Sequence, residues 1–209
     1  MQNVPLPDDG KIPSGARVRG IVLAATPSTN GKVAELTLRF DELDVGRRRM
    51  TITTYLRALA SLAAVQEVEL PQYSIGFGTS NNWATTVQIG GDVKYAVYGV
   101  VTNGSTQRVG MGVYDGVLVL LRANEEGGCR GDLGDGRLQA LCLFSSDACG
   151  AYLLGDLKIA HRGRSDPMGT IVLRIPRGDV DLRGGTGMLL RVIASDEEGP
   201  SSPEGASQE

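Results

Sequence analysis

Histidine is nearly missing from this chain: His161 is the only one among 209 residues. A catalytic imidazole needs a nucleophile within reach and a third group to orient it. His161 stands in AHRGRSD with Ser165 and Asp166 close in sequence, but no Gly-x-Ser-x-Gly elbow occurs, so it reads as a surface-loop residue. Cysteine is scarce too: Cys129, Cys142 and Cys149 are the three present. Together with His161 their spacings match none of the compact zinc patterns. Cys142 lies in the apolar run LQALCLF, where a thiol serves as a small core residue. The start, MQNVPLPDDGKIPSG, has two acids and none of the apolar centre of a secretory signal. With an odd cysteine count, that predicts synthesis in a cytosol and reduced thiols. No apolar run of about 18 residues exists, which excludes a membrane-spanning helix. Aromatic residues make up only 5% of the chain, so where they gather is informative.

Positive charge is not in excess either. The net charge is −3, and residues 195–209 hold five acids and no base, so the acidity belongs to the tail and the body is near neutral. That is too little positive charge for a general nucleic-acid binder, although a local patch can still act. The densest basic run, Arg47-Arg48-Arg49, is the candidate contact for nucleic acid or an anionic membrane surface. Its competing reading is a solvated turn balanced by Asp41, Glu42 and Asp44.

What the chain does contain is a dense series of strand and turn signals. In VKYAVYGVVTNGSTQRVGMGVYDGVLVLLRA (93–123) apolar runs are punctuated by Asn103-Gly104 and Asp115-Gly116. These pairs readily take the positive φ angles of hairpin turns, so we expect a three-strand meander at the centre of a β-rich core. Val117 to Leu121 is apolar throughout, which predicts a strand covered on both faces. VRGIVLAAT (18–26) and KVAELTLRF (32–40) flank Asn30-Gly31 as a further hairpin, with Ala34, Leu36, Leu38 and Phe40 on one face. DELDVGRRR (41–49) reads as a charged loop or edge. Around 55–65 the period changes: Tyr55, Leu59, Leu62 and Gln66 follow helical spacing, with Thr53 or Thr54 as the cap. Short strands are expected in 73–90, 137–144, 151–160, 169–176 and 187–194, and a Gly-rich loop at 124–136.

The expected fold is therefore mainly β: an antiparallel β-sandwich, jelly-roll-like or barrel domain with one short helix at about 55–65. Residues 1–14 form a flexible arm, 15–194 a single β-rich domain, and 195–209 a disordered acidic tail.

Other clusters yield no chemistry. Asp132 and Asp135, or Asp179 and Asp181, offer carboxylates in loops without the ligand order of a calcium site. GGTGM (184–188) lacks the flanking strand and helix of a phosphate loop, and the tripeptide Arg130-Gly131-Asp132 is too short to carry a function. No metal, cofactor or small-molecule substrate is expected, and the chain is read as a non-enzyme. Tyr95, Tyr98 and Tyr114 gather in or beside the meander, and an apolar sheet on both faces needs a second layer or a second subunit. These tyrosines are the expected homo-oligomer interface. Gly112-x-Tyr114-x-Gly116-x-x-x-Leu120 resembles a strand region in rhabdovirus matrix proteins, over under a tenth of the chain. The Lys-rich N-terminus of the animal-virus members is missing, and with it a strongly membrane-binding arm. The expected function is a self-assembling structural protein of a virus particle, coat or matrix, located in the virion and made in the host cytoplasm. The alternative is a monomeric β-sandwich module that binds a small ligand or a partner protein.

Overall fold

The computed structural model describes residues 3–7, 10–29, 32–68, 84–95, 99–113, 116–123, 129, 138–160 and 169–193. Within them lie, in chain order, β1 (Val4–Pro5), β2 (Lys11–Ile12), β3 (Arg17–Thr26), β4 (Ala34–Val45), β5 (Arg48–Thr51), β6 (Thr53–Ala60) and the helix α1 (Leu62–Gln66). There follow β7 (Ala84–Gln88), β8 (Gly91–Tyr95), β9 (Val100–Asn103), β10 (Arg108–Val113), β11 (Gly116–Val119), β12 (Gln139–Leu141), β13 (Gly150–Tyr152), β14 (Lys158–Ile159), β15 (Ile171–Ile175) and β16 (Gly187–Ile193). The architecture is mostly antiparallel β with a curled half-barrel, as the spacing of turn signals predicts.

Two sheets form a sandwich. One runs β14-β15-β4-β3, with β5 also on β4; the other runs β13-β6-β16. Leu38, Leu56, Leu59, Leu157, Ile159, Ile171 and Leu173 fill the space between them, with Leu36 and Phe40 of β4 packed alongside. The predicted inward face of β4 thus holds.

The remaining large sheet is an up-and-down series, β12-β11-β10-β9-β8-β7. It curls so that Val93, Tyr95, Val101, Val109, Val117, Val119 and Leu141 meet inside it. Of the run Val117 to Leu121, expected to be covered on both faces, Val117 to Val119 are buried, but the strand ends there and Leu120 is 40% exposed. Gly110 permits the close approach of β10 to β11: a Cβ there would sit 2.0 Å from the Leu118 carbonyl oxygen. The N-terminal stretch expected as a loose arm pairs Val4 with Ile12 and Pro5 with Lys11, and β1 packs against β11.

The strand that joins these parts is β6, not the meander. Its Leu56 and Leu59 enter the sandwich core, while Ala58 and Ala60 pack with Ala64, Ile89, Phe144 and Ala148 on the other side. The helix expected at about 55–65 is confined to Leu62–Gln66, capped by Ser61, whose hydroxyl accepts from Ala64 N at 3.2 Å. A bulge accounts for the misleading period. Against β16 the register passes from Ala58 to Leu56, leaving Arg57 as the extra residue. Two residues aimed at one core are then three apart, a spacing that imitates a helix.

Two turns refine the expectation. Of the two readings of DELDVGRRR, loop or edge, the edge holds: β4 runs on to Val45, turns through Gly46 and Arg47, and returns as β5, which among the described residues pairs with β4 alone. Gly46 takes φ 59° at the first turn position, where a two-residue hairpin favours glycine. At Asn103-Gly104 the positive φ falls instead on Thr106, at 63°. The loop is closed by Asn103 N donating to Gln107 O and Thr106 N donating to Asn103 O. A β-branched residue is costly in that region. Thr106→Gly is therefore expected to stabilise the protein by about 1 kcal/mol, raising Tm by roughly 2–4 °C in a thermal melt.

Candidate functional site: an exposed edge strand

RVRGIVLAAT is a strong strand sequence, yet all ten residues of β3 are exposed. The cause is its place in the sheet. The sandwich core lies beneath β4 and β15, and β3 projects one strand beyond it. Val18, Ile21, Val22 and Leu23 are 42–64% exposed, an apolar surface on a long strand. Among the described residues nothing pairs with the outer side of β3, whose backbone hydrogen bonds run only to β4. A strand end-on to solvent with unpaired N–H and C=O groups is a template for another strand.

Two bulges shape this edge. Arg19 pairs with Glu42 and Gly20 with Phe40, so Asp41 is extra on β4; Val22 pairs with Leu38 and Ala24 with Thr37, so Leu23 is extra on β3. Cross-strand partners share a face. Arg17, Arg19, Ile21, Ala24 and Thr26 therefore lie on the outer face with Asp44, Glu42, Arg39, Thr37 and Glu35. Val18, Gly20, Val22 and Ala25 lie on the face that continues from the core.

Charge gathers at one end of this edge. Asp44 accepts from Arg19 Nε at 2.5 Å on one carboxylate oxygen and from Arg49 Nε at 2.9 Å on the other, with Glu42 3.6 Å from Arg49. Hydrogen bonds from Arg49 and then Arg19 hold the Asp44 carboxyl below the usual carboxylate range, and Asp44 in turn raises Arg49. Of the expected basic contact, Arg49 is thus engaged with acids. Arg47 and Arg48 are exposed and make no ion pair among the described residues. Arg17 likewise has no ion-pair partner among the described residues.

The expected tyrosine interface is distributed differently. Tyr95 is 7% exposed and packs inside the curled sheet, so its covering layer is its own chain. Tyr98 and Tyr114 lie outside the described residues, as do His161, Asp132, Asp135 and the Arg130-Gly131-Asp132 tripeptide. Asp179 accepts from Ser28 N at 2.8 Å and Asp181 pairs with Arg183 at 2.8 Å, both roles in loop structure.

Sequence reasoning passed over a second polar centre. Arg57 is fully buried. Its Nε donates to Ala148 O at 2.7 Å, and its Nη2 donates to the Arg122 and Ser146 carbonyl oxygens. One guanidinium thereby ties β6 to the chain after β11 and to the loop before β13. Beside it, Cys129 and Cys149 form a disulfide, with the Cys129 sulfur 3.9 Å from Arg57 O. This corrects the expectation of reduced thiols: the fold brings two cysteines 20 residues apart to a Cα separation of 6.0 Å, which their number alone does not reveal. Cys142 remains free, its thiol pushed up by burial. In comparisons with protein-family models, curated proteins and solved structures, nothing matches this chain.

Proposed function

We propose that this chain is a non-enzymatic, self-assembling structural subunit of a virus particle, a coat or matrix protein, located in the virion. The observation that carries the self-assembly reading is β3: ten exposed residues at a sheet edge, four of them large and apolar. Soluble β proteins ordinarily blunt such edges or cover them, and a protein built to associate uses them. The assignment to a particle rests on analogy of fold class, since β-sandwich subunits are common in such assemblies. The Cys129–Cys149 disulfide suits a protein that persists in oxidising surroundings, as the outside of a virion is. In this reading Arg47 and Arg48, exposed and without an ion pair among the described residues, would meet nucleic acid or an anionic membrane.

Light scattering on the purified chain tests this. The expected mass exceeds one subunit and rises with concentration. A fixed monomer mass would overturn the reading and favour a single-subunit binding module.

A further inference from the structure

We infer that the occupant of the β3 edge is the β3 strand of a second copy, paired antiparallel about a two-fold axis at Ile21. The inference rests on the self-assembly reading and specifies its contact. It follows from the bulge and the charges.

An added strand must keep outer face on outer face and core-side face on core-side face, because side chains alternate with period two. Starting from the ends, Arg17 of one copy meets Thr26 of the other, Val18 meets Ala25, and Arg19 meets Ala24. Leu23 is already an extra residue against β4. If it is also left unpaired across the new ladder, Gly20 meets Val22 and Ile21 meets its own counterpart. Every pair then matches in face, and the two Leu23 bulges are related by the same axis. A parallel arrangement would bring Arg17 and Arg19 beside their own copies, placing like charges opposite each other.

The antiparallel register also supplies a partner for Arg17, which has no ion pair among the described residues. Thr26 pairs with Glu35 on β4, so an Arg17 arriving opposite Thr26 stands two strands from Glu35 on the same face. Two strand spacings are about 10 Å between Cα atoms, within the joint reach of an arginine and a glutamate. Glu35 holds Arg174 at 2.7 Å through one oxygen, Oε2. A carboxylate can accept on its other oxygen as well, as Asp44 does with two arginines. Each dimer would gain two such contacts, one at each end of the paired strands.

Oxidative cross-linking of variants with one free cysteine, in a Cys142→Ser background that keeps the Cys129–Cys149 disulfide, tests the register. Ile21 is half-exposed, so cysteine is tolerated there. Ile21→Cys is expected to give a covalent dimer on a non-reducing gel, while Arg17→Cys and Thr26→Cys give little alone but cross-link when mixed. Arg17→Glu should weaken dimerisation by about fivefold, the scale of an exposed ion pair. Efficient cross-linking of Thr26→Cys alone would overturn the antiparallel register. If light scattering shows the parent associating while Ile21→Cys stays uncrosslinked, the β3 contact is wrong although self-assembly stands. A parent that is monomeric throughout removes both.

Discussion

Arg57→Met is expected to lower stability by roughly 3–5 kcal/mol, the cost of stripping the donor from a buried hydrogen-bonded centre. Methionine fills much of the arginine stem's volume, so the loss reports the guanidinium rather than a cavity. The carbonyl oxygens of Arg122 and Ala148 would lose this donor in one step, while Ser146 O keeps the Arg122 backbone N–H at 2.8 Å. For a chain of this size Tm should fall by about 10 °C. Arg57→Lys should fall between, because a single ammonium cannot span carbonyls on separate segments. Urea unfolding followed by circular dichroism measures this. A shift below about 1 kcal/mol for Arg57→Met would show that the segments are held by their apolar contacts instead.

Reduction should also weaken the fold. The Cys129–Cys149 bond closes a loop of 20 residues, for which chain-entropy reasoning gives about 3 kcal/mol. A dithiol reductant should therefore lower the Tm of the parent by several degrees. It should do nothing to a Cys129→Ser/Cys149→Ser variant, which starts at the lower value. The bond holds Cys129 beside Arg57, its sulfur 3.9 Å from Arg57 O. An equal melt with and without reductant, with the disulfide confirmed by thiol titration, would contradict this.

Much of the fold was legible because its signals are local. Alternation in AELTLRF put Leu36, Leu38 and Phe40 on the core face, and the apolar run at Val117–Leu121 announced a strand buried on both sides, which holds for Val117–Val119 but not for the exposed Leu120. What escaped depends on neighbours distant in sequence. At Arg57 a bulge set Leu56 and Leu59 three apart, so a strand carried the period of a helix. The same bulge placed a charged residue in the interior, where a helical reading would have left it wet. In β3 the error ran the other way. Ile21, Val22 and Leu23 have the composition of a core strand, and only the position of β3 beyond the last core-forming strand leaves them in solvent. Tyr95 looked available for a partner because sequence cannot show that its sheet curls back over it. The disulfide needed the fold to bring its two ends together.

Sedimentation velocity of the parent and of an Ile21→Lys/Val22→Lys variant, over a wide range of concentration, tests self-assembly through β3 most directly. Both residues are exposed, so the lysines should leave the circular dichroism spectrum unchanged while blocking strand addition. The parent should sediment faster as concentration rises, and the variant should remain a monomer throughout. A parent that never leaves the monomer, or a variant that associates as the parent does, would contradict it.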